Sequence, residues 1–273
     1  MYTAMRPAVL ALVALAGCAQ FQPQDLAGRL YLSAGLDAQV RSIPGEFAQG
    51  VEDYRGQAPE EVIAALADAG RKGFAPEALR EEIVGTLAQK LTASEMKEAV
   101  AWLESEVGRR LIGAEESAVG NLSKKNLDAY LALERGKPAD PRRDALLAEL
   151  IRETNAVEIG ASFIEAISLG IAVGMDATQP AEKRIGVAGL RLRLRAAMPP
   201  QRLRADLNAT LPAMYGYMYR SIGDADLAAY VRFNGSSLGK RYNDAVTAAF
   251  VQALTRASVR VGEMIDVPQR EKV

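Results

Sequence analysis

The hydrophobic positions along this chain recur at the spacing of amphipathic α-helices. Met96, Val100 and Leu103, for example, fall at i, i+4 and i+7, which is one face of a helix. Alanine and leucine dominate the composition, and runs of β-branched residues are scarce. Both features favour helix over strand. The pattern therefore predicts an all-α fold.

Prolines and glycines set the expected helix boundaries. Pro59 and Pro76 are placed in the first turn of helices, where the missing N–H costs little. The pair Pro44–Gly45 is expected to interrupt a helix. Long helices are predicted over Arg142 to Met175, over Pro200 to Ser221, and from the second corner described below to about Ile265. A further long helix is predicted over Val107 to Leu133, with fraying at Gly113 and Gly120 as an alternative to a continuous helix.

A 22-residue window occurs twice. Residues 91–112 align without a gap to residues 222–243 at an offset of 131 positions (222 − 91). Four positions are identical, and the order of residue types matches elsewhere, with Trp102 opposite Phe233. The sequence of each copy predicts two helices that meet at a sharp turn, called a corner below, at Ser105 in the first copy and at Ser236 in the second.

The corner residues have structural roles in this prediction. Ser105 is expected to start the second helix by accepting hydrogen bonds from backbone N–H groups, and Ser236 has the same place in the second copy. Gly108 and Gly239 indicate close approach by another backbone or by a ring, for which Trp102 and Phe233 are the candidates. The basic pairs Arg109–Arg110 and Lys240–Arg241 are expected to point to water; the alternative is a paired ligand site.

The repeated window resembles a family of bacterial envelope proteins catalogued as domain of unknown function 2059. The first copy carries the resemblance in Thr92, Glu95, Met96, Trp102, Ser105 and Gly108, and the second in Asp226, Leu227, Phe233, Ser236 and Gly239. The second copy has Gly223 in place of the threonine, and the usual proline after the serine is replaced by Glu106 and Ser237. The resemblance implies an all-helical, exported protein and no known activity.

The amino terminus has the pattern of an export signal. Arg6 precedes a short apolar run, and Gly17–Cys18 follows it. Residues 15–18 resemble the lipobox of bacterial lipoproteins, which makes Cys18 the expected lipid-attachment site and residues 1–17 the signal peptide. Ala19 in the next position resembles lipoproteins sent to the outer membrane, facing the periplasm, if the host is Gram-negative. Cys18 is the one cysteine, so no intrachain disulfide is expected.

The expected architecture is a helical bundle made of two tandem, related helical repeats. Residues 18–24 form a short tether, 25–135 the first repeat, 136–141 a linker rich in proline, 142–267 the second repeat, and 268–273 a charged tail. Whether the two repeats form one domain or two stays open.

One segment is strongly basic. Residues 183–204 hold seven cations and no acid. We expect a face for an anionic partner there, formed by Arg191, Arg193, Arg195, Arg202 and Arg204; the alternatives are docking onto the acidic residues 46–82 or simple solvation. Removal of Arg6 leaves 32 basic and 34 acidic residues, a balance that gives no reason to expect nucleic acid as a partner.

The apolar stretch from Ile159 to Met175 has two interpretations. It is marginal in length for a membrane span, and a buried core helix is favoured. In a core, Glu165 needs a partner, for which an arginine of the following segment is expected.

Matches to enzyme motifs lack the residues that their chemistry needs. The Gly-x-Ser-x-Gly match at 235–239 would require a histidine, and the chain has none. The Ser-x-x-Lys match at 94–97 fits a helix cap better. The adjacent carboxylate pairs Glu60–Glu61, Glu81–Glu82 and Glu115–Glu116 are expected to be solvated. No metal and no cofactor are predicted.

We therefore expect a non-enzymatic, membrane-anchored envelope lipoprotein that binds another envelope protein or supports an envelope assembly. The alternative is a lipid or small-molecule binder with a groove between the two halves, lined by Met214, Tyr215, Tyr217, Met218 and Tyr219. A hydrolase that works through carboxylates is the remaining possibility.

Overall fold

The structure, a computed structural model, describes residues 23–138 and 140–265, with the exception of the Lys124 side chain. These residues form an all-α helical bundle without strands, apart from one isolated bridge between Arg55 and Ala58. The helices are α1 (Pro23–Ser33), α2 (Leu36–Glu52), α3 (Glu60–Gly73), α4 (Pro76–Lys90), α5 (Ala93–Leu103), α6 (Glu106–Val119), α7 (Lys124–Glu134), α8 (Pro141–Glu153), α9 (Ala156–Ala177), α10 (Gly186–Ala197), α11 (Pro200–Met218), α12 (Asp224–Gly235) and α13 (Ser237–Glu263), with a 3₁₀ turn at Ala181–Lys183.

Helix α13 is the central element of the bundle. It is 27 residues long and packs along α9 and α4, with further contacts to α3, α5 and α12. One continuous core runs from Leu26 in α1 to Val261 in α13, so residues of both halves share it. Hydrophobic burial therefore joins the two halves directly.

Helix α9 is long and apolar enough to cross a membrane by length and composition. In the bundle it contacts α13, α11, α10, α3, α2 and α8, and its residues 159–178 are all buried or half-buried. Gly170 and Gly174 let large side chains approach its backbone, since a Cβ at Gly170 would lie 3.0 Å from the Phe47 ring and one at Gly174 only 2.2 Å from Leu66. This packing is that of a core helix.

The predicted break at Pro44–Gly45 is wrong. Pro44 lies inside α2, and the chain bends earlier, at Gly35, whose φ of 65° is in the left-handed region that favours glycine. Ile43 and Phe47 on either side of the proline are buried. Their burial outweighs the cost of the lost helical hydrogen bond.

Two of the predicted long helices are divided. The stretch from Val107 to Leu133 splits into α6 and α7, and Ser123 caps the second by accepting from Asn126 N. The stretch from Arg142 to Met175 splits at Asn155, which has a φ of 54°. Asparagine is one of the few residues that tolerate this conformation.

The predicted linker falls where α7 ends and α8 begins. Asp140 caps α8 by accepting from Arg143 N at 3.1 Å, and Pro141 is the first helical residue. At the other end of the chain, α1 begins at Pro23, inside the predicted tether. The signal peptide, Cys18 and the tail 268–273 lie outside the described residues.

Candidate functional site: a basic helix and the cleft beside it

Helix α10 lies at the edge of the bundle and is held there by α9. Leu190, with Val187 and Leu194, packs against Leu169 and Val173 of α9. This small cluster is separate from the main core. The alternating leucines and arginines of this segment thus belong to a short helix and not to a strand.

The start of α10 is fixed by a carboxylate. Asp176 at the end of α9 accepts from the backbone N–H groups of Ile185 at 2.9 Å and of Gly186 at 3.0 Å. A carboxylate near these N–H groups also interacts favourably with the positive end of the helix dipole.

The predicted anionic-partner face divides into two parts. Arg191, Arg193 and Arg195 on α10 are exposed and form no ion pair with any described residue. On α11, Arg202 is 3.9 Å from Asp206, and Arg204 donates to both oxygens of its partner Glu158 at 2.7 and 2.8 Å. No acidic residue described in the segment 46–82 forms an ion pair with an arginine of α10. The three arginines are therefore available for another molecule.

An exposed leucine lies among these arginines. Leu192 is 73% exposed, whereas most leucines of the bundle are buried. A single exposed leucine is common on a protein surface, and Leu133 on α7 is exposed to the same extent. Leu192 differs from it in lying beside three arginines that form no ion pair with a described residue.

A cleft of about 210 Å³ lies between α9, α10 and α13, beside the cluster that joins α10 to α9. Arg191, Arg195 and Met198 of α10 line one side, and Glu165 of α9 lines another. The expectation that Glu165 is a buried residue paired with an arginine is wrong: it is half-buried and forms no ion pair or hydrogen bond with a described residue, although it interacts electrostatically with Arg204. The nearby Arg204 is occupied by Glu158.

A larger groove of about 560 Å³ lies between α1 and α4. Its cations already have partners. Arg29 binds Glu104, and the Arg80 guanidinium lies over the Tyr31 ring, 5.7 Å from its centroid. This groove therefore offers less unsatisfied charge than the cleft beside α10.

The two predicted corners have the same local geometry. Ser105 Oγ accepts from Gly108 N at 3.1 Å, and Ser236 Oγ accepts from Gly239 N at 3.0 Å. A Cβ at Gly108 would lie 2.4 Å from the Leu103 carbonyl oxygen, and one at Gly239 would lie 2.0 Å from that of Phe233. The glycines thus accommodate the backbone of the preceding helix and not a ring.

The aromatic residues of the two corners pack against each other. Trp102 stacks on Phe233 with ring centroids 4.1 Å apart and an interplanar angle of 9°. It also stacks on Tyr230 at 5.4 Å. Residues at matching positions of the two windows therefore meet face to face.

Reciprocal ion pairs flank this stack. Arg110 donates to both oxygens of Asp226 at 2.8 and 3.0 Å, and Arg241 pairs with Glu95. Each pair joins the same two window positions, with the corners exchanged. The hydrogen bond from Arg110 is the main cause that lowers the pKa of Asp226.

The second cation of each corner is exposed, as predicted, but it also binds a carboxylate of the other corner. Arg110 and Arg241 are engaged across the interface, which removes two of the four cations of the alternative corner ligand site. Arg109 and Lys240 are exposed and form no ion pair with a described residue.

Sequence reasoning missed a carboxyl group among tyrosines. Glu115 accepts from the Tyr219 hydroxyl at 2.5 Å and also interacts with Tyr230. Burial raises the pKa of Glu115 to about 7. The helical spacing could have indicated that Glu115 is buried. It is four residues from buried Leu111 and three from buried Ala118, on the inward face of α6.

The prediction of solvated carboxylate pairs is thus wrong for Glu115, and it is also wrong for Glu82. Glu82 accepts from Arg260 Nη1 at 2.5 Å, and Arg260 Nε donates to the Gly73 carbonyl at 3.2 Å. Two buried atoms of this pair, Glu82 Oε2 and Arg260 Nη2, have no hydrogen-bond partner. The pair connects α4 with α13.

The tyrosines expected to line a groove between the halves are packed among other rings. Tyr219 is 2% exposed and contacts Tyr215 and Tyr230 edge-on. Tyr217 is 7% exposed and contacts Tyr130 at 5.8 Å. Their packing favours a structural use of these rings.

The serines of the enzyme-like motifs have structural hydrogen bonds. Ser236 is the cap of α13 in a helix–helix corner, where a nucleophile elbow would need a strand. Ser94 donates to Glu98 at 2.9 Å, and the cap of α5 is Thr92 with Glu95 in a capping box, so the predicted Ser94 cap is wrong. Within the described residues, no group of three acidic, histidine or cysteine side chains could hold a metal ion.

Comparison with known proteins gives one match. No curated protein and no solved structure matches the chain. Residues 77–132, about a fifth of the chain, match the model of a family described as uncharacterized protein conserved in bacteria (DUF2059). The match contains the first corner and supports the resemblance drawn from its residues; the second corner lies outside it.

Proposed function

We propose that this protein is a non-enzymatic lipoprotein of the bacterial envelope that binds another envelope protein and supports an envelope assembly. The surface that we assign to this binding is α10. The observation that carries the assignment is Leu192, 73% exposed among Arg191, Arg193 and Arg195, which lack acidic partners among the described residues.

The chemistry of this surface favours a protein partner. An apolar anchor with arginines around it is typical of protein–protein interfaces, where arginine is enriched. The three positive charges select an acidic surface and accelerate its association. We therefore expect a partner with an acidic patch around an apolar pocket that receives Leu192.

Anchoring would keep this surface near a membrane. In the proposal Cys18 is lipidated and, in a Gram-negative host, the protein reaches the outer membrane and faces the periplasm. The five residue steps from Cys18 to Pro23, where α1 begins, span at most about 17 Å when extended. The bundle and its partner would thus meet close to the bilayer.

The two corners have a structural role in the proposal. They would be two divergent copies of one helical module. The copies pack on each other as the subunits of a symmetric dimer do: if position i of one copy contacts position j of the other, position j of the first also contacts position i of the second. Their reciprocal ion pairs and the Trp102–Phe233 stack support this interpretation.

A photo-crosslinking residue placed at position 192 in the living host tests the binding surface. Leu133 is the matched control, because it is 72% exposed but lies on α7. We expect one discrete protein adduct at position 192 and none at position 133, identified by mass spectrometry. The same adducts at both positions, or only lipid or glycan adducts at position 192, would contradict a protein-docking role for α10.

The anchor has a separate test. Cys18→Ala should abolish labelling by a fatty-acid probe and release the protein from the membrane fraction. Labelling that persists in this variant would rule out Cys18 as the lipid-attachment site.

A further inference from the structure

The cleft between α9, α10 and α13 contains charges of both signs that do not satisfy each other. Arg191 and Arg195 line it from α10 and Glu165 from α9, and in the described part of the chain none of the three has an ion-pair partner. Elsewhere in the bundle, facing charges on neighbouring helices do pair, as Arg204 does with Glu158. The cleft therefore keeps the arginines and the carboxylate apart.

The remaining lining adds a polar floor and an apolar rim. Ser258 is fully buried and donates its hydroxyl to the Thr255 carbonyl at 2.8 Å, so the hydroxyl groups open to a ligand are those of Thr255 on α13 and Ser162 on α9. Leu194 and Met198 of α10 and Val251 of α13 provide the apolar part. A molecule in the cleft would thus meet hydroxyl groups, aliphatic carbon and charges of both signs.

The size of the cleft restricts the ligand. Its volume of about 210 Å³ lies below the range of roughly 300–1,000 Å³ that is typical of pockets for drug-sized ligands. A complete lipid with its acyl chains does not fit into this space, whereas a headgroup or a single amino acid does.

We propose that this cleft binds a small zwitterion that carries an anionic oxygen group and a primary ammonium group. The anionic group accepts charge-assisted hydrogen bonds from Arg191 and Arg195, and the ammonium group donates to Glu165. Leu194 and Met198 contact the aliphatic part. A free amino acid and the phosphoethanolamine headgroup of a phospholipid share this chemistry.

The cleft shares Arg191 and Arg195 with the proposed docking surface, but Leu192 and Arg193 lie outside the cleft. Helical geometry places Leu192 and Arg193 about 100° and 200° around α10 from Arg191, away from the face formed by Arg191, Leu194, Arg195 and Met198. Substitutions can therefore separate ligand binding from partner binding.

Calorimetric titration of the full chain in detergent tests the proposal. The probes are L-leucine and phosphoethanolamine, each with its counterpart that lacks the ammonium group, 4-methylpentanoate and ethyl phosphate. We expect saturable binding of at least one zwitterion, with its counterpart at least about tenfold weaker because Glu165 then lacks a partner. Binding of leucine identifies an amino-acid site, and binding of phosphoethanolamine identifies a lipid-headgroup site.

Variants assign the roles of the charged residues. Glu165→Gln should weaken the zwitterion about tenfold and leave its counterpart unchanged, and Arg191→Gln with Arg195→Gln should abolish binding of both. The double variant Leu192→Ser/Arg193→Glu should retain zwitterion binding and lose the protein adduct. Unchanged thermal unfolding of each variant shows that the bundle is intact.

Three results would overturn the proposal: no zwitterion binding at millimolar concentration, equal affinity for the counterparts, or no effect of Glu165→Gln. None of these results bears on protein docking through Leu192. Loss of the crosslink at position 192, conversely, leaves the cleft untouched.

Discussion

The paired corners and helix α10 are both rich in cations, but their cations have opposite surroundings. At the corners, Arg110 and Arg241 each bind a carboxylate of the other corner, and Trp102 is stacked on Phe233. On α10 the arginines have no such partner and Leu192 is exposed. The contacts at the corners stabilise the fold, and the unpaired arginines are the reason that we propose α10 as the binding surface.

Breaking the aromatic contact between the corners should have the largest effect. Trp102→Ala removes the stack on Phe233 and Tyr230, and we expect a loss of about 3–5 kcal/mol in the free energy of unfolding. Urea denaturation measures it. A loss below about 1 kcal/mol would mean that the corners do not hold the halves together.

The corner glycines should tolerate no side chain. Gly108→Ala places a Cβ against the Leu103 carbonyl, and we expect a loss of about 1–3 kcal/mol. Gly113 in the same helix is the control, because a Cβ there meets nothing within 4 Å. Gly113→Ala should stabilise the protein by about 0.5–1 kcal/mol. Equal effects of the two changes would contradict the close approach at Gly108.

The Glu115 cluster should make stability depend on pH between 5 and 8. The pKa of Glu115 in the folded state, about 7, is above its ordinary value, so its stabilising contribution is full below about pH 4.5 and is lost as the pH rises through 7. We expect the wild-type protein to be about 1–3 kcal/mol more stable at pH 5 than at pH 8. The chain has no histidine, which leaves few other groups to titrate in this window.

Glu115→Gln should remove this pH dependence. The control is Glu46→Gln, because Glu46 is exposed on α2; this variant should keep the pH dependence of stability. Urea denaturation at pH 5 and pH 8 gives the free energy of unfolding of each variant at each pH. A wild-type protein whose stability rises from pH 5 to pH 8 would show that Glu115 is ionised without cost.

The reciprocal ion pairs should contribute less than the rings between them. In a double-mutant cycle with Arg110→Gln and Asp226→Asn, we expect a coupling energy of about 0.5–1 kcal/mol that decreases at high salt, because Arg110 is exposed. A coupling energy of zero at low salt would contradict a role for this pair.

Charge reversal on α10 should have the smallest effect on stability. Arg191, Arg193 and Arg195 have no partners to lose, so changing all three to Glu should alter the free energy of unfolding by less than about 0.5 kcal/mol. A large loss would show that these arginines belong to the fold.

Local patterns predicted the fold and the corners well. Periodicity indicated the helices, and serine and glycine chemistry indicated both corners before any contact was known. The break at Pro44 was wrong because the burial of Phe47 and its neighbours is a tertiary effect that no local rule includes.

Long-range contacts account for most of the other errors. Arg110 and Asp226 are 116 positions apart, and nothing local shows that they meet. Glu165 was expected to find an arginine, but Arg204 binds Glu158 instead. The five arginines of the predicted basic face lie on two helices, α10 and α11, and the sequence did not show that those on α11 have acidic partners.

The most direct test of α10 as the binding surface compares two variants, each with three charge reversals, for the partner that they capture. One changes Arg191, Arg193 and Arg195 on α10 to Glu. The other changes three exposed cations of the repeated windows to Glu: Arg109 and Lys240, described above, and Arg232, which lies on α12 within the second window. The measured quantity is the amount of crosslinked partner recovered with each variant from living cells, relative to the wild-type protein. We expect the crosslinked partner to be lost in the α10 variant alone. Retention in the α10 variant, or loss in the corner variant alone, would contradict the claim that the corners are structural and α10 is the binding surface.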